Sequence, residues 1–374
     1  MRKKKVLTLL LVLVLLALGA CGGLVGCEDD FGFFEDKSSG SKRETTKGES
    51  EPIVSDGLEV HFLELGNKYT GDCTYVKVGD VDVLIDAGSK TTSIPTIAEY
   101  LNAHMTDDVL EYVIVTHAHE DHYAGFATND GTDSLFDLYE VGTIIDFSQI
   151  TKSKSTQKMY NNYLRERDEE IKAGATHYTA ADCIESKNNV FSLGEGVEME
   201  ILDSYFYYNV SDTENNHSVC TMIRSGKSKF LFTGDLEKEG EEYLVEYNEL
   251  SPVTLYKAGH HGSKTSSSDC LLEVIKPKIV TVCCCCGSPQ YTETSANQFP
   301  TQAFINRVAP YTDRVYVTTL CVDYEAGKIE SMNGNIVVRC TEEGVSIRCS
   351  NNNTPLKDTA WFRKNRDCPE AWAS

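Results

Sequence analysis

The densest concentration of chemistry in the chain is the run Thr116-His117-Ala118-His119-Glu120-Asp121-His122. Imidazole nitrogens and carboxylate oxygens are the donors that borderline cations such as zinc prefer, and His117, His119, Asp121 and His122 supply four of them in one short loop. The run follows an apolar stretch ending at Val115, so it reads as a loop leaving a strand end. Alternate side chains splay from such a loop, letting His117 and His119 reach one cation while Asp121 and His122 reach a second. Two divalent cations about 3.5–4 Å apart would share a hydroxide that they make easy to form near neutral pH. The bland alternative is a polar surface turn that binds nothing.

Two later strand ends supply what such a site still needs. Phe230-Leu231-Phe232-Thr233-Gly234-Asp235 ends an apolar run in a carboxylate, and Gly234 allows close backbone approach. Asp235 is therefore the candidate bridge between the cations, although Gly-Asp alone is ordinary turn chemistry. Leu255-Tyr256-Lys257-Ala258-Gly259-His260-His261-Gly262-Ser263-Lys264 again closes a strand with histidines. One of the pair is expected to complete the second metal site, His261 narrowly preferred, and the other to stand behind it or contact substrate. Ser263 and Lys264 could hold an anionic oxygen of the substrate or the transition state, and a solvated lysine explains Lys264 at least as well. The expected catalytic set is Asp121, His260, Ser263 and Lys264. His61, His104 and His177 have no ligand spacing and read as ordinary strand or helix residues.

The order His-x-His-x-Asp-His, Thr-Gly-Asp, His-His-Gly-Ser, preceded by Leu84-Ile85-Asp86-Ala87-Gly88, resembles the metallo-β-lactamase superfamily. More narrowly it is similar to the branch that contains the ComEC hydrolase domain and the phosphorylcholine esterases of bacterial surfaces. The resemblance runs from about Val60 to Val338. It implies an αββα fold, two divalent ions (zinc first, manganese second) and hydrolysis of an ester, often a phosphodiester. It also implies that Asp86 orients the ligand loop through hydrogen bonds to the ligands. Asp72, in Thr70-Gly71-Asp72-Cys73, matches a Gly-Asp near the branch's site, and a plain turn explains it nearly as well. Glu214-Asn215-Asn216-His217-Ser218 falls where that branch carries an Asn-x-Ser pattern, which gives Asn216 a supporting role. True β-lactamases place a third histidine of the first metal in that stretch, so His217 is either that ligand or a solvent-facing residue.

The elements that must position these groups are legible as alternating strands and helices. Leu58 to Leu65, Thr74 to Val78 and Val81 to Ile85 read as a meander; Thr92 to Met105 has helical spacing, and Leu110 to Val115 and Val141 to Phe147 read as strands. Ser155 to Ala173 is a charged amphipathic helix expected on the surface. Strands follow over Val190 to Leu202 and His217 to Thr233, the latter a hairpin about Ser225-Gly226-Lys227-Ser228. Helices at Glu237 to Tyr247, Ser268 to Ile275 and Thr301 to Val308 alternate with strands at Val253 to Lys257, Lys278 to Cys285 and Arg314 to Thr319. Asn335 to Cys340 and Val345 to Cys349 close the series. An α/β fold of four layers, αββα, accommodates all of it.

The ends have their own composition. Met1-Arg2-Lys3-Lys4-Lys5 followed by an apolar run to Ala20 reads as an export signal, residues 1–20. Leu18-Gly19-Ala20-Cys21 and Leu24-Val25-Gly26-Cys27 resemble lipoboxes, Cys21 slightly preferred, which predicts an extracytoplasmic protein tethered to the membrane by lipid. An uncleaved anchor or a plain secretory signal is the alternative. Residues 21–55 are a flexible tether poor in aliphatics, 56–350 the hydrolase domain, and 351–374 a tail that is either a packed strap or a disordered end. A net charge of −22 repels phosphate polymers at long range, so extended nucleic acid is an unexpected partner, whereas a small-molecule or cell-surface ester is a fitting one. Fourteen cysteines in an exported chain suggest disulfides, yet Cys283 to Cys286 continue an apolar strand. Buried free thiols are therefore expected there first, and a bridge to Cys321 or Cys340 second. Rival readings are a lactone or β-lactam hydrolase, a ComEC-like nuclease, and a surface binding protein without catalysis on the same scaffold.

Overall fold

In the computed structural model, which describes residues 57–128 and 131–373, the chain builds two sheets face to face. The expected signal, tether and candidate lipid sites Cys21 and Cys27 lie outside the described residues. The first sheet opens with β1 (Leu58–Phe62), β2 (Thr74–Val78), β3 (Val81–Ile85), β4 (Val109–Val115), β5 (Glu140–Asp146) and β6 (Thr176–Thr179). The chain then crosses to the second through β7 (Val190–Gly194), β8 (Val197–Ile201), β9 (Thr221–Ser225) and β10 (Ser228–Phe232). That sheet continues with β11 (Leu255–Lys257), β12 (Ile279–Cys286), β13 (Val315–Asp323) and β14 (Lys328–Ser331), before β15 (Ile336–Thr341) and β16 (Gly344–Cys349) return to the first. The orders are β16-β15-β1-β2-β3-β4-β5-β6 and β14-β13-β12-β11-β10-β9-β8-β7, eight strands each.

Each sheet is mixed, and its parallel part matters most. β3, β4, β5 and β6 run parallel in one sheet, and β10, β11, β12 and β13 in the other. Parallel neighbours end on the same edge, so the loops after β3, β4, β10 and β11 can share one crevice, the usual place for a site in such sheets. These loops carry Asp86, the His117–His122 run, Asp235 and the His260-His261 pair.

Side-chain alternation explains the layers. Phe230 and Phe232 on β10 enter the inter-sheet core, where Phe62 faces Phe232 with ring centroids 6.3 Å apart, while Leu231 points to the outer layer. On β12, Cys283 joins the inter-sheet core and Val282, Cys284 and Cys286 the outer one. All twelve cysteines among the described residues are free thiols, and Cys283 to Cys286 are buried. The helices Lys238–Tyr247, Asp269–Ile275 and Gln302–Val308 cover the outer face of the second sheet through Leu244, Leu271, Leu272, Ile275, Phe304 and Val308. The C-terminal segment packs on the same layer: Leu356, Phe362 and Trp372 are buried, and the Trp372 indole donates to Thr312 O at 3.0 Å.

The helix Lys158–Ala173 is charged outward, but Tyr160, Asn162, Tyr163 and Glu166 are buried. Asn162 Nδ2 donates to Thr128 O (2.7 Å) and Thr128 Oγ1 donates to Glu166 (2.9 Å), which fastens the segment that follows the histidine loop. Beneath it, Asp146 at the end of β5 accepts from Tyr163 (2.8 Å), Arg167 (2.9 Å) and His177 (2.9 Å). His177 therefore belongs to a buried carboxylate network rather than to the crevice.

Several short elements escaped the sequence pattern, among them β14 and the helices Leu135–Leu138 and Ala360–Asn365. β6 and the following helix Ala180–Glu185 are too brief to show a period, and the helix is started by a capping box between Thr179 and Asp182.

Candidate metal centre

The loop after β4 is held from behind before any donor is aimed. Asp86, just past β3, accepts from Thr116 N and from Thr116 Oγ1, each at 2.8 Å, and from His122 Nδ1 at 2.7 Å. One carboxylate thus fixes both the start of the histidine loop and the ring of its last member, leaving His122 Nε2 to face inward. Main-chain bonds knit the rest: Ala87 N to His122 O (2.7 Å), Gly88 N to Asp72 O (2.8 Å) and Asp72 N to Asp121 O (3.1 Å). The last approach leaves no room for side chains, because a Cβ on Gly88 would lie 1.6 Å from Asp121 O.

The second sheet delivers its donors through a strained corner. His260 (φ 46°) and His261 (φ 55°) both sit in the left-handed region. Such residues cost about 1–3 kcal/mol each and persist only where the surroundings hold them. Here His260 N bonds Gly234 O (3.2 Å), Ser263 N bonds His260 O (2.8 Å), and His261 Nδ1 donates to Cys283 O (2.9 Å). His261 Nε2 is thereby turned toward the carboxylates.

The donors meet around Asp235. Its Oδ2 lies 3.2 Å from His122 Nε2, 3.5 Å from His261 Nε2, 3.8 Å from His260 Nε2 and 3.9 Å from His117 Nε2. His117 Nε2 and His119 Nδ1 face each other at 2.9 Å, and His261 Nε2 is 3.6 Å from Asp121 Oδ2. Two donor sets of metal-binding size result: His117, His122 and Asp235 on one side, and Asp121, His122 and His261 on the other. Asp72 joins a third set with Asp235 and His261. The residues fit cations rather than a self-satisfied polar core. His122 Nε2, His261 Nε2 and Asp235 Oδ1 are buried and make no hydrogen bond among the described residues, a costly arrangement for polar atoms unless a ligand completes it.

The charge state of the crevice follows from the same contacts. Burial alone would raise the Asp235 carboxyl, but the imidazoles of His122, His261 and His260 hold it well below the usual carboxylate range. Asp121 is also held low, burial being outweighed by His261 and His122. Burial would lower His122 and His261, yet the carboxylates win: His122 is raised well above its ordinary value through Asp235 and Asp86, and His261 to about 10 through Asp235 and Asp72. His117, buried and beside His122 and His119, is pushed well below its ordinary value. Acids ready as anions face imidazoles that surrender protons when a cation takes their place.

Sequence reasoning overlooked Lys257, a lysine buried at the end of β11 and ion-paired with Asp72. Asp72 Oδ1 lies 3.1 Å from His261 Nδ1, so this buried pair stands directly behind the ligand histidine. A lysine in an otherwise apolar strand was the available signal. Tyr291 was also overlooked; its hydroxyl donates to Asp121 Oδ2 at 2.8 Å.

Not every expected residue joins the cluster. His217 is buried, but Ser211 N donates to its Nε2 (2.9 Å) and Glu214 Oε1 lies 3.3 Å from Nδ1, so both nitrogens are engaged away from the donors. Its neighbour Ser218 takes the place near the first set, with Oγ 3.4 Å from His117 Nδ1 and accepting from Asp235 N at 3.1 Å. Asn216 does support the site, accepting from Glu237 N (3.1 Å) just beyond Asp235. Lys264 is exposed in a surface cleft with Lys238, Glu242, Asp269 and Arg307 that contains none of the converging donors. Ser263 Oγ accepts from Thr265 N (3.2 Å) and lies 3.0 Å from Thr265 Oγ1, which in turn touches His260 Nδ1 at 3.1 Å. Its reach toward the cluster is therefore through His260.

The profile of the metallo-beta-lactamase superfamily matches residues 66–128 and 170–286, stretches that contain every member of the two donor sets. The chain has the metallo-beta-lactamase fold. Among curated proteins, 88 residues are 32% identical to Recombination protein 2 of Haemophilus influenzae, covering 24% of this chain and 11% of that protein. Another 127-residue match is 33% identical to Competence protein ComA of Neisseria gonorrhoeae, covering 34% of this chain and 17% of that one. The chain therefore matches only a small part of these much longer relatives. A solved structure of similar fold, the metallo-beta-lactamase fold protein YhfI of Bacillus subtilis, is 11% identical with a TM-score of 0.41, over 74% of this chain and 99% of that one. A metallo-beta-lactamase fold with His/Asp clusters able to hold divalent cations is the arrangement of a metal-dependent hydrolase-like protein.

Proposed function

We propose that the chain hydrolyses a phosphodiester or a cell-surface ester with two divalent cations, zinc first and manganese second, and belongs with the ComEC-like and phosphorylcholine-esterase-like branch. The observation that supports this most is the set of buried, unbonded donor atoms of His122, His261 and Asp235 gathered in one crevice. Cations bound there would polarise a phosphoryl or carbonyl oxygen and acidify water. His117, His119, His122, Asp121, Asp235 and His261 would hold them; His122 belongs to both sets, and Asp235, of the first set, also lies 3.5 Å from His261 of the second. Asp86, Asp72 and Lys257 fix the ligand rings from behind. His260, partly exposed and 3.8 Å from Asp235 Oδ2, stands where it can touch a bound ester, and Ser263 positions it through Thr265. The proposal includes an extracytoplasmic protein with a lipid anchor on Cys21 or Cys27.

The relatives named for recombination and competence make nucleic acid the second substrate class, against which the net charge of −22 argues. The test is turnover of chromogenic phosphodiesters, phosphomonoesters, lactones and β-lactams by the metal-loaded protein, with single-stranded DNA alongside. We expect chelator-sensitive turnover of a phosphodiester. Turnover of nitrocefin or a lactone alone would transfer the assignment to the β-lactam or lactone reading, and no turnover of any ester would leave a binding protein.

A further inference from the structure

We propose that Tyr291 is a further catalytic residue, whose phenol donates a hydrogen bond to the substrate oxygen on which negative charge develops. The proposal rests on the hydrolase reading above. Tyr291 lies beyond residue 286, where the superfamily profile stops matching, so nothing in the shared fold dictates it. Its hydroxyl nevertheless reaches Asp121 Oδ2 at 2.8 Å, while the residue remains 55% exposed. A side chain that is open to solvent at one end and bonded to a ligand carboxylate at the other stands at the mouth of the crevice.

The loop that carries it is fastened rather than free. Gly287 N bonds Phe299 O (2.8 Å), closing the loop at its base, and Thr70 N donates to Gln290 Oε1 (2.9 Å), tying it to the Gly71-Asp72 turn. From the C-terminal segment, Arg366 donates to Gln298 O (2.7 Å) and Pro300 O (3.1 Å), and its guanidinium stacks over Trp361 at 4.5 Å. Phe299 lies 5.6 Å from the Tyr291 ring and 5.8 Å from the rings of both His260 and His261. The packed tail thus braces a loop that brings one neutral donor, Tyr291, and one apolar wall, Phe299 at its base, to the donor cluster.

A fixed donor aimed where charge develops is worth most in catalysis because it needs no reorganisation during the reaction. Asp121 is a placeholder for that interaction: an ester oxygen arriving beside Asp121 Oδ2 would meet the phenol that now donates to it at 2.8 Å. No proton leaves Tyr291; the hydrogen bond alone shifts from carboxylate to substrate.

The test compares full-length parent and Tyr291→Phe, both metal-loaded, in three measurements: metal content, kcat and KM with bis-p-nitrophenyl phosphate, and calorimetric affinity for inorganic phosphate. We expect unchanged metal content, kcat lowered about 10²–10³-fold, and phosphate binding weakened about tenfold, as for loss of one hydrogen bond to a charged group. Parent-like kcat and phosphate affinity in Tyr291→Phe, beside an active parent, would overturn the inference and leave the hydrolase reading intact. Loss of metal in step with loss of turnover would also overturn it, since Tyr291 would then only order Asp121. A parent that neither turns over esters nor binds phosphate would remove the hydrolase reading, and this inference with it.

Discussion

Asp235→Ala is expected to keep the fold and lose turnover by roughly 10²–10³-fold or more, the scale seen when one preorganised electrostatic partner is deleted from an active site. The fold survives because Asp235 makes its structural bond through the main chain, N–H to Ser218 Oγ, and its Oδ1 makes none. Activity does not survive because the side chain is the common neighbour of His117, His122, His260 and His261. The first donor set loses its only carboxylate and His261 of the second loses a charged neighbour at 3.5 Å, so metal content falls with turnover. Circular dichroism, metal analysis and kcat on one sample separate these effects. An Asp235→Ala protein with parent metal content and parent kcat would show that the carboxylate is a bystander.

Gly88→Ala is expected to act through the backbone, with no charge or hydrogen-bond donor removed. The added methyl would stand 1.6 Å from Asp121 O and 2.2 Å from Asp121 C, both main-chain atoms that cannot turn aside. The loop bearing His119, Asp121 and His122 must therefore move, and with it the bonds Gly88 N to Asp72 O and Asp72 N to Asp121 O. Overpacking of this kind costs about 3 kcal/mol, seen as a lower melting temperature, together with loss of metal from the set containing Asp121. Unchanged melting temperature and metal content would mean that the loop is far softer than its bonds imply.

What was legible in the sequence was local. His117, His119, Asp121 and His122 announce themselves because four donors share one loop, and Asp235 and His261 because each follows an apolar strand and a glycine. Apart from β6, the strands of the parallel halves were legible for a similar reason, through their largely apolar runs. What depends on distant chain was not. His217 has the right type and place in the order, but the turn Thr213 to Ser218 rotates its ring onto Ser211 and Glu214. Lys264 neighbours the histidine pair in sequence, yet the strained corner at His260 and His261 sends it outward. Lys257 looked like a strand terminus and is a buried counter-ion for Asp72, a partner more than 180 residues earlier. Tyr291 sits in a loop without period, and partners from distant chain help to place it, the tail's Arg366 and Thr70 of the connection between β1 and β2. The tail itself offered scattered aromatics whose packing surface, the outer layer of the second sheet, is built from other segments.

The central claim is that two divalent cations bind in the crevice between these four loops, and titration of metal-free protein with zinc across pH tests it most directly. Asp235 and Asp72 push His261 up to about 10, and Asp235 and Asp86 raise His122 as well, so cation binding must compete with protons at both. Affinity should rise as pH rises below that value, by about tenfold per pH unit for each proton released, with saturation at two equivalents per chain. Saturation at two equivalents that persists in the combined His122→Ala and Asp235→Ala variant, or the absence of saturable binding in the parent, would contradict the account.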